Sequence, residues 1–128
     1  MKNLVIVFLV MMAGIAFGQR SISDTLQGNE TVVFDVMQDA KQIQALCTEL
    51  GGTSDGTLIL KGSVDGTTYV TLSETAGLIN FYPNDTLTIT DGAAWLVTIQ
   101  EKLFNYYKVV GAGTASDTTL ITIKWGKN

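Results

Sequence analysis

The chain contains no histidine, one cysteine and one proline among its 128 residues. Without histidine, the commonest general base is missing, and with it the Ser-His and Cys-His nucleophile pairs and the usual zinc ligand sets. The single cysteine, Cys47, cannot close an internal disulfide, so a folded domain must rest on its core and its hydrogen-bonded ladders. Cys47 lies between Leu46 and Thr48 in an apolar-rich run, and the spacing favours a small buried side chain over a reactive or intermolecular thiol. Charge is sparse as well. Eight Lys and Arg stand against twelve Asp and Glu, scattered without a basic stripe, which argues against a nucleic-acid surface built on phosphate contacts.

What is present begins with an apolar opening. Met1-Lys2-Asn3 is a short basic start, Leu4 to Phe17 is apolar or small throughout, and Ala16-Phe17-Gly18 sets small residues at the −3 and −1 positions of a cut before Gln19. That layout predicts a secretory signal peptide over residues 1–18. The run is short for a bilayer span, which takes about 20 residues; an uncleaved amino-terminal anchor is the alternative, and no stable membrane span remains once the segment is removed. Residues 19–128 then form one domain, long enough for a real core and too short for two. Losing Lys2 makes that domain more acidic than the full chain's net −4, as suits an exported module.

The domain reads as strands nearly everywhere. Asp65-Gly66 sits between Thr57-Leu58-Ile59-Leu60-Lys61 and Tyr69-Val70-Thr71-Leu72, and Asp-Gly between alternating β-formers predicts a tight type I′ hairpin. Val32–Met37, Leu78–Tyr82, Thr86–Thr90, Ala93–Ile99, Leu103–Val110 and Thr118–Trp125 are further strands, the last with Leu120 inward and Ile121, Ile123 and Trp125 as further inward candidates. Gln42–Leu50 fits a helical stripe through Ile43, Leu46, Cys47 and Leu50, or a half-buried strand through Ile43, Ala45 and Cys47 that pairs with Thr57–Ser63; the strand is favoured. Gly111–Ser116 is a glycine-rich link. Eight or nine short strands, with turn signals every eight to twelve residues, predict an all-β fold: an antiparallel β-sandwich, jelly-roll-like, following the apolar signal segment.

Candidate chemistry is thin. Asp55, Asp65, Asp85, Asp91 and Asp117 sit beside Gly, Asn, Ser or Thr, where turn geometry accounts for a carboxylate without a reaction. Their spacing matches no calcium loop. No catalytic residue, cofactor or metal ligand set is assigned. Recognition falls instead to aromatics in the last strands: Trp95, Phe104, Tyr106, Tyr107 and Trp125. On a strand, Phe104 and Tyr106 share one face while Tyr107 and Val109 share the other, so one pair points away from a one-sided core, unless both faces are covered. The interface candidates are Tyr107, Val109, Trp125 and Trp95; Trp95 and Tyr107 are also the candidates for stacking on a sugar.

The run Thr57–Leu72, with its Gly62-Ser63-Val64-Asp65-Gly66-Thr67-Thr68-Tyr69 hairpin, the later Tyr106-Tyr107-Lys108-Val109-Val110 strand and the Gly111-Ala112-Gly113-Thr114 link resemble small β-sandwich proteins of tailed bacteriophages. The hairpin also resembles that of discoidin-type domains, and Met1–Gln19 resembles export signals of Bacteroidetes-type bacteria. The phage resemblance implies a non-enzymatic structural or accessory subunit: capsid decoration, head fibre or tail accessory. It also implies protein partners or self-association and a virion or exported, extracellular location. The alternative is an exported carbohydrate-binding module with a glycan as partner.

Overall fold

Strands that bury every second side chain need a second sheet to cover them, and that requirement organises the molecule. A computed structural model of the chain describes residues 20–36, 39–113 and 118–126; the apolar segment expected to be an export signal lies outside them. The strands are β1 (Arg20–Gln27), β2 (Thr31–Val36), β3 (Gln42–Gly51), β4 (Thr57–Ser63), β5 (Val70–Thr71), β6 (Ile79–Tyr82), β7 (Thr86–Thr88), β8 (Ala94–Ile99), β9 (Tyr106–Ala112) and β10 (Thr118–Gly126). One five-stranded sheet runs β1-β10-β3-β8-β6; the other runs β2-β9-β4-β5, with β7 also paired to β4. Every pairing is antiparallel. The architecture is the antiparallel β-sandwich that the alternation predicts.

The core follows from that alternation. From the first sheet come Ile43, Ala45 and Cys47 of β3, Trp95, Val97 and Ile99 of β8, and Ile121 and Ile123 of β10. Facing them are Phe34, Leu58, Leu60, Tyr107 and Val109 of the second sheet. Burying one such large apolar side chain contributes about 1.5–3 kcal/mol, and the core supplies this without a covalent cross-link. Phe104 closes the margin beside Gly62, where an added Cβ would stand 2.7 Å from its ring, so this position in β4 has no room for a side chain.

Several expectations need correcting. Gln42–Gly51 is a strand, with Ile43, Ala45 and Cys47 buried between exposed neighbours. Its partners are β10 and β8, however, and Thr57–Ser63 lies in the opposite sheet. Leu120 faces outward and is half-buried, while Ile121 and Ile123 are fully buried. Gly111 and Ala112 belong to β9 rather than to a link, and residues 114–117 fall outside the described residues. The strand β1, absent from the sequence reading, completes the first sheet.

The Asp65-Gly66 turn forms by other means than a type I′ hairpin. Among the described residues only glycines have positive φ, so Asp65 does not adopt the left-handed conformation that such a turn requires. The loop from Val64 to Tyr69 is wider, with Lys61 opposite Thr71 and Gly62 opposite Val70. The Asp65 carboxylate gathers it, accepting from the Thr67 and Thr68 amides at 2.8 and 2.9 Å and from the Ser63 hydroxyl at 2.9 Å. Ser63 Oγ in turn accepts the Gly66 amide at 2.9 Å. Gly66, at φ +78°, packs beneath the Tyr106 ring, which stands 3.2 Å from where a Cβ would be.

The three donors, the two backbone amides first, hold the Asp65 carboxyl down at about 2, below its ordinary 3.8. A depressed pKa contributes stability that is fully present above the unfolded value and is lost as pH falls through the folded one. Asp65→Ala is therefore expected to lower the melting temperature at neutral pH, with the gap to wild type closing between about pH 4 and pH 2. Gly66→Val is expected to destabilise by about 1–3 kcal/mol in denaturant unfolding, since it places a β-branched residue at positive φ. In the core, Tyr107→Ala is expected to cost about 3–5 kcal/mol in the same measurement. Tyr107→Phe removes only the bond from the Phe104 amide to the hydroxyl and is expected to cost about 0.5–1.5 kcal/mol.

Candidate interaction surfaces

Three of the four sequence-predicted interface residues lie inside the sandwich. Tyr107 is 2% exposed, and Val109 and Trp95 are as deeply buried. The period of two that put Tyr107 and Val109 on one face of β9 holds, but that face is the core, and the expectation of a surface role at these three residues is corrected accordingly. Tyr107 meets Phe104 edge-on at 6.2 Å between ring centroids, and its hydroxyl accepts the Phe104 amide at 3.3 Å. Trp95 stacks on Phe81 at 5.6 Å and donates its indole N–H to the Asn84 carbonyl at 2.7 Å. The Tyr107 hydroxyl and the Trp95 indole N–H thus each have a partner inside the sandwich. Trp125 is the one that stays partly exposed, packed against the core near the end of β10, and its indole N–H has no acceptor among the described residues.

Cys47 is fully buried, and burial pushes its thiol up to about 11, so at neutral pH it is a protonated, unreactive core side chain. Asp39, Ala40, Lys41, Ile99, Lys102 and Tyr107 line a pocket of about 70 Å³. Small-molecule sites occupy about 300 Å³ or more, so this one accommodates little beyond water. Among the described residues, no three His, Cys, Asp or Glu side chains gather as a metal site would need. No helix among them is long and apolar enough to cross a membrane.

What the fold presents to solvent is broad sheet surface. On the outer face of the first sheet the register aligns Tyr82, Leu96, Gln44, Lys124 and Ser21 in one row, and Ala94, Leu46, Thr122 and Ser23 in the next. Lys124 is the one charged side chain in these two rows, and Leu46 and Tyr82 are 48% and 75% exposed. On the outer face of the second sheet Val33, Val110, Ile59 and Thr86 form a row beside a charged one of Asp35, Lys108, Lys61 and Thr71. Lys108 opposes Lys61 directly, an unfavourable pair. Its ammonium sits 3.8 Å above the Tyr69 ring, an attraction that offsets the repulsion. Sequence reasoning looked for exposed aromatics and missed these aliphatic rows. The signal was available: Val33, Leu46 and Leu96 are the apolar residues at the wrong parity of otherwise well-alternating strands.

Neither a protein-family model nor a curated protein sequence matches this chain. Solved structures do resemble it in fold. The crystal structure of PirA superposes with a TM-score of 0.54 at 10% identity, covering 82% of this chain and 92% of PirA. The PBSX exported protein XepA gives 0.59 at 9% identity, over 86% of this chain and 37% of XepA, so the chain spans little more than a third of that protein. The SPBc2 prophage-derived protein YomS is among the structures matched, at 0.44 and 9% identity, over 84% of this chain and 96% of YomS. At these identities the likeness to PirA and XepA is one of fold alone.

Proposed function

We propose that this protein is a non-enzymatic structural or accessory subunit of a phage virion or of an exported surface assembly, of the capsid-decoration, head-fibre or tail-accessory type. The observation that carries the reading is the outer face of the first sheet. Leu46, Leu96 and Tyr82 lie exposed there on neighbouring strands, among Gln, Ser and Thr and with a single lysine. A sheet surface depleted of charge and carrying large apolar side chains has the composition of the centre of a protein–protein interface. The fold likeness to the PBSX exported protein XepA supports the same reading and an extracellular or virion location. The alternative, an exported sugar-binding module, loses Trp95 and Tyr107 as stacking platforms because both are buried.

The reading is tested by sedimentation velocity of the purified protein over a concentration series, beside a glycan array. Self-association is expected, with no glycan bound. Leu46→Asp and Leu96→Asp are expected to weaken that association or attachment to particles, while shifting unfolding free energy by no more than about 0.5 kcal/mol, as is usual for surface positions. A protein that stays monomeric, attaches to no particle and binds a glycan would overturn it.

A further inference from the structure

The first sheet ends in an edge whose own sequence is self-complementary. β1 pairs with β10 residue for residue from Arg20–Trp125 to Gln27–Thr118 without a register shift, and among the described residues no strand pairs with its other side. The Thr25 amide is taken by the Asp24 carboxylate at 2.8 Å, and the Gln27 carbonyl accepts the Glu30 amide at 3.1 Å. Both groups therefore point away from β10, and antiparallel alternation places the amides and carbonyls of Ser21 and Ser23 on the same outer edge. Proteins commonly guard a long edge with proline, charged side chains or a bulge. Arg20–Gln27 has no proline, lysine or bulge, and its two charges, Arg20 and Asp24, are of opposite sign on one face, so a second copy can pair them rather than be repelled by them.

We infer that β1 pairs with β1 of a second copy of this chain, antiparallel, about a two-fold axis at Ile22. In that register Ile22 lies opposite Ile22 of the second copy, Arg20 opposite Asp24 and Asp24 opposite Arg20. Ser21 and Ser23 of the second copy exchange backbone N–H···O bonds, as do their symmetry mates, because the outward-pointing residues are the ones brought into hydrogen-bonded positions. The charges select this register over its neighbours. Sliding the partner by two residues sets Asp24 against Ile22, and sliding it by four sets Asp24 against Asp24. Arg20, Ile22 and Asp24 share one face of β1 and are all exposed, Ile22 at 41%, so pairing covers an aliphatic side chain that the monomer leaves in water. Half-buried Trp125 lies beside Arg20 on that face and borders the junction. The contact is isologous and closes as a dimer, joining two five-stranded sheets into one.

This deepens the assembly reading and rests on it, and the test separates the two. Across an antiparallel non-hydrogen-bonded pair the Cα atoms lie about 4.5 Å apart, within disulfide reach. Ile22→Cys is therefore expected to yield a covalent dimer under mild oxidation. Ser23→Cys is not, since its symmetry mate lies about 8 Å away along and across the strands. Buried Cys47 supplies no background. By sedimentation equilibrium, Arg20→Glu alone and Asp24→Arg alone are each expected to weaken the dimer about tenfold, through two symmetric like-charge contacts, and the double variant to recover wild-type affinity within about threefold. Circular dichroism confirms that each variant is folded. If the protein associates but Ile22→Cys gives no cross-link and the charge reversals change nothing, the β1 junction is wrong while the assembly reading stands. A protein monomeric at every concentration, attaching to no particle, overturns both.

Discussion

The close fit between two sheets, each of which buries every second side chain, is the constraint on which the structure depends. Ile43, Cys47, Val97, Ile121 and Ile123 on one side meet Phe34, Leu58, Leu60 and Val109 on the other, each essentially sealed from water. No disulfide or histidine takes part in this contact, and among the described residues no acid is buried in it. The strand parity therefore has to be right along the whole length of β3, β4, β8, β9 and β10, because a one-residue slip would exchange the core for the surface. The polar atoms admitted to this region are accommodated individually, as with the Trp95 indole on Asn84 and the Thr119 hydroxyl on Ser54.

That parity is also what made the fold legible. Val32, Phe34 and Val36, or Leu87 and Ile89, announce their buried face in the sequence, and the structure places them there. Gln42–Leu50 is ambiguous in sequence because Ile43, Leu46, Cys47 and Leu50 also suit a helix; neighbours on both sides, β8 and β10, make it the strand that the alternation favours. β1 could not be read at all. Ile22 and Leu26 have the correct spacing, but Asp24 lies between them on the same face, and the strand is an edge that needs little burial to exist. The turn at Asp65-Gly66 was placed correctly and given the wrong geometry, since its side-chain hydrogen bonds depend on Ser63, Thr67 and Thr68 acting together.

The candidate surface was less legible than the fold, for a physical reason. Sequence periodicity separates two faces of a strand without saying which one meets the other sheet when both carry large residues. In β9 both do: Tyr106, Lys108 and Val110 alternate with Tyr107 and Val109. The sandwich takes the second set and leaves Tyr106 to pack on the loop at Gly66, Lys108 over the Tyr69 ring and Val110 between Val33 and Ile59 on the outer face. Interaction capacity then resides in residues that look unremarkable in isolation, such as Leu46 and Leu96, whose significance comes from being neighbours in space on strands far apart in the chain.

The strand order has a consequence for the timing of folding. The first sheet places β10, the last strand, between β1 and β3, so that Ser23 and Thr122 touch across 99 positions of chain. During synthesis β1 emerges before every other strand of its sheet and has no sheet neighbour until β10 is made. β3 has β8 earlier but lacks its other flank for as long. A nascent chain without β10 thus holds unpaired strand edges on either side of a gap, and its closure requires a loop that contains every other described strand. The domain behaves less like a series of hairpins added in turn than like a clasp, which stays open along its whole length until β10 slides in.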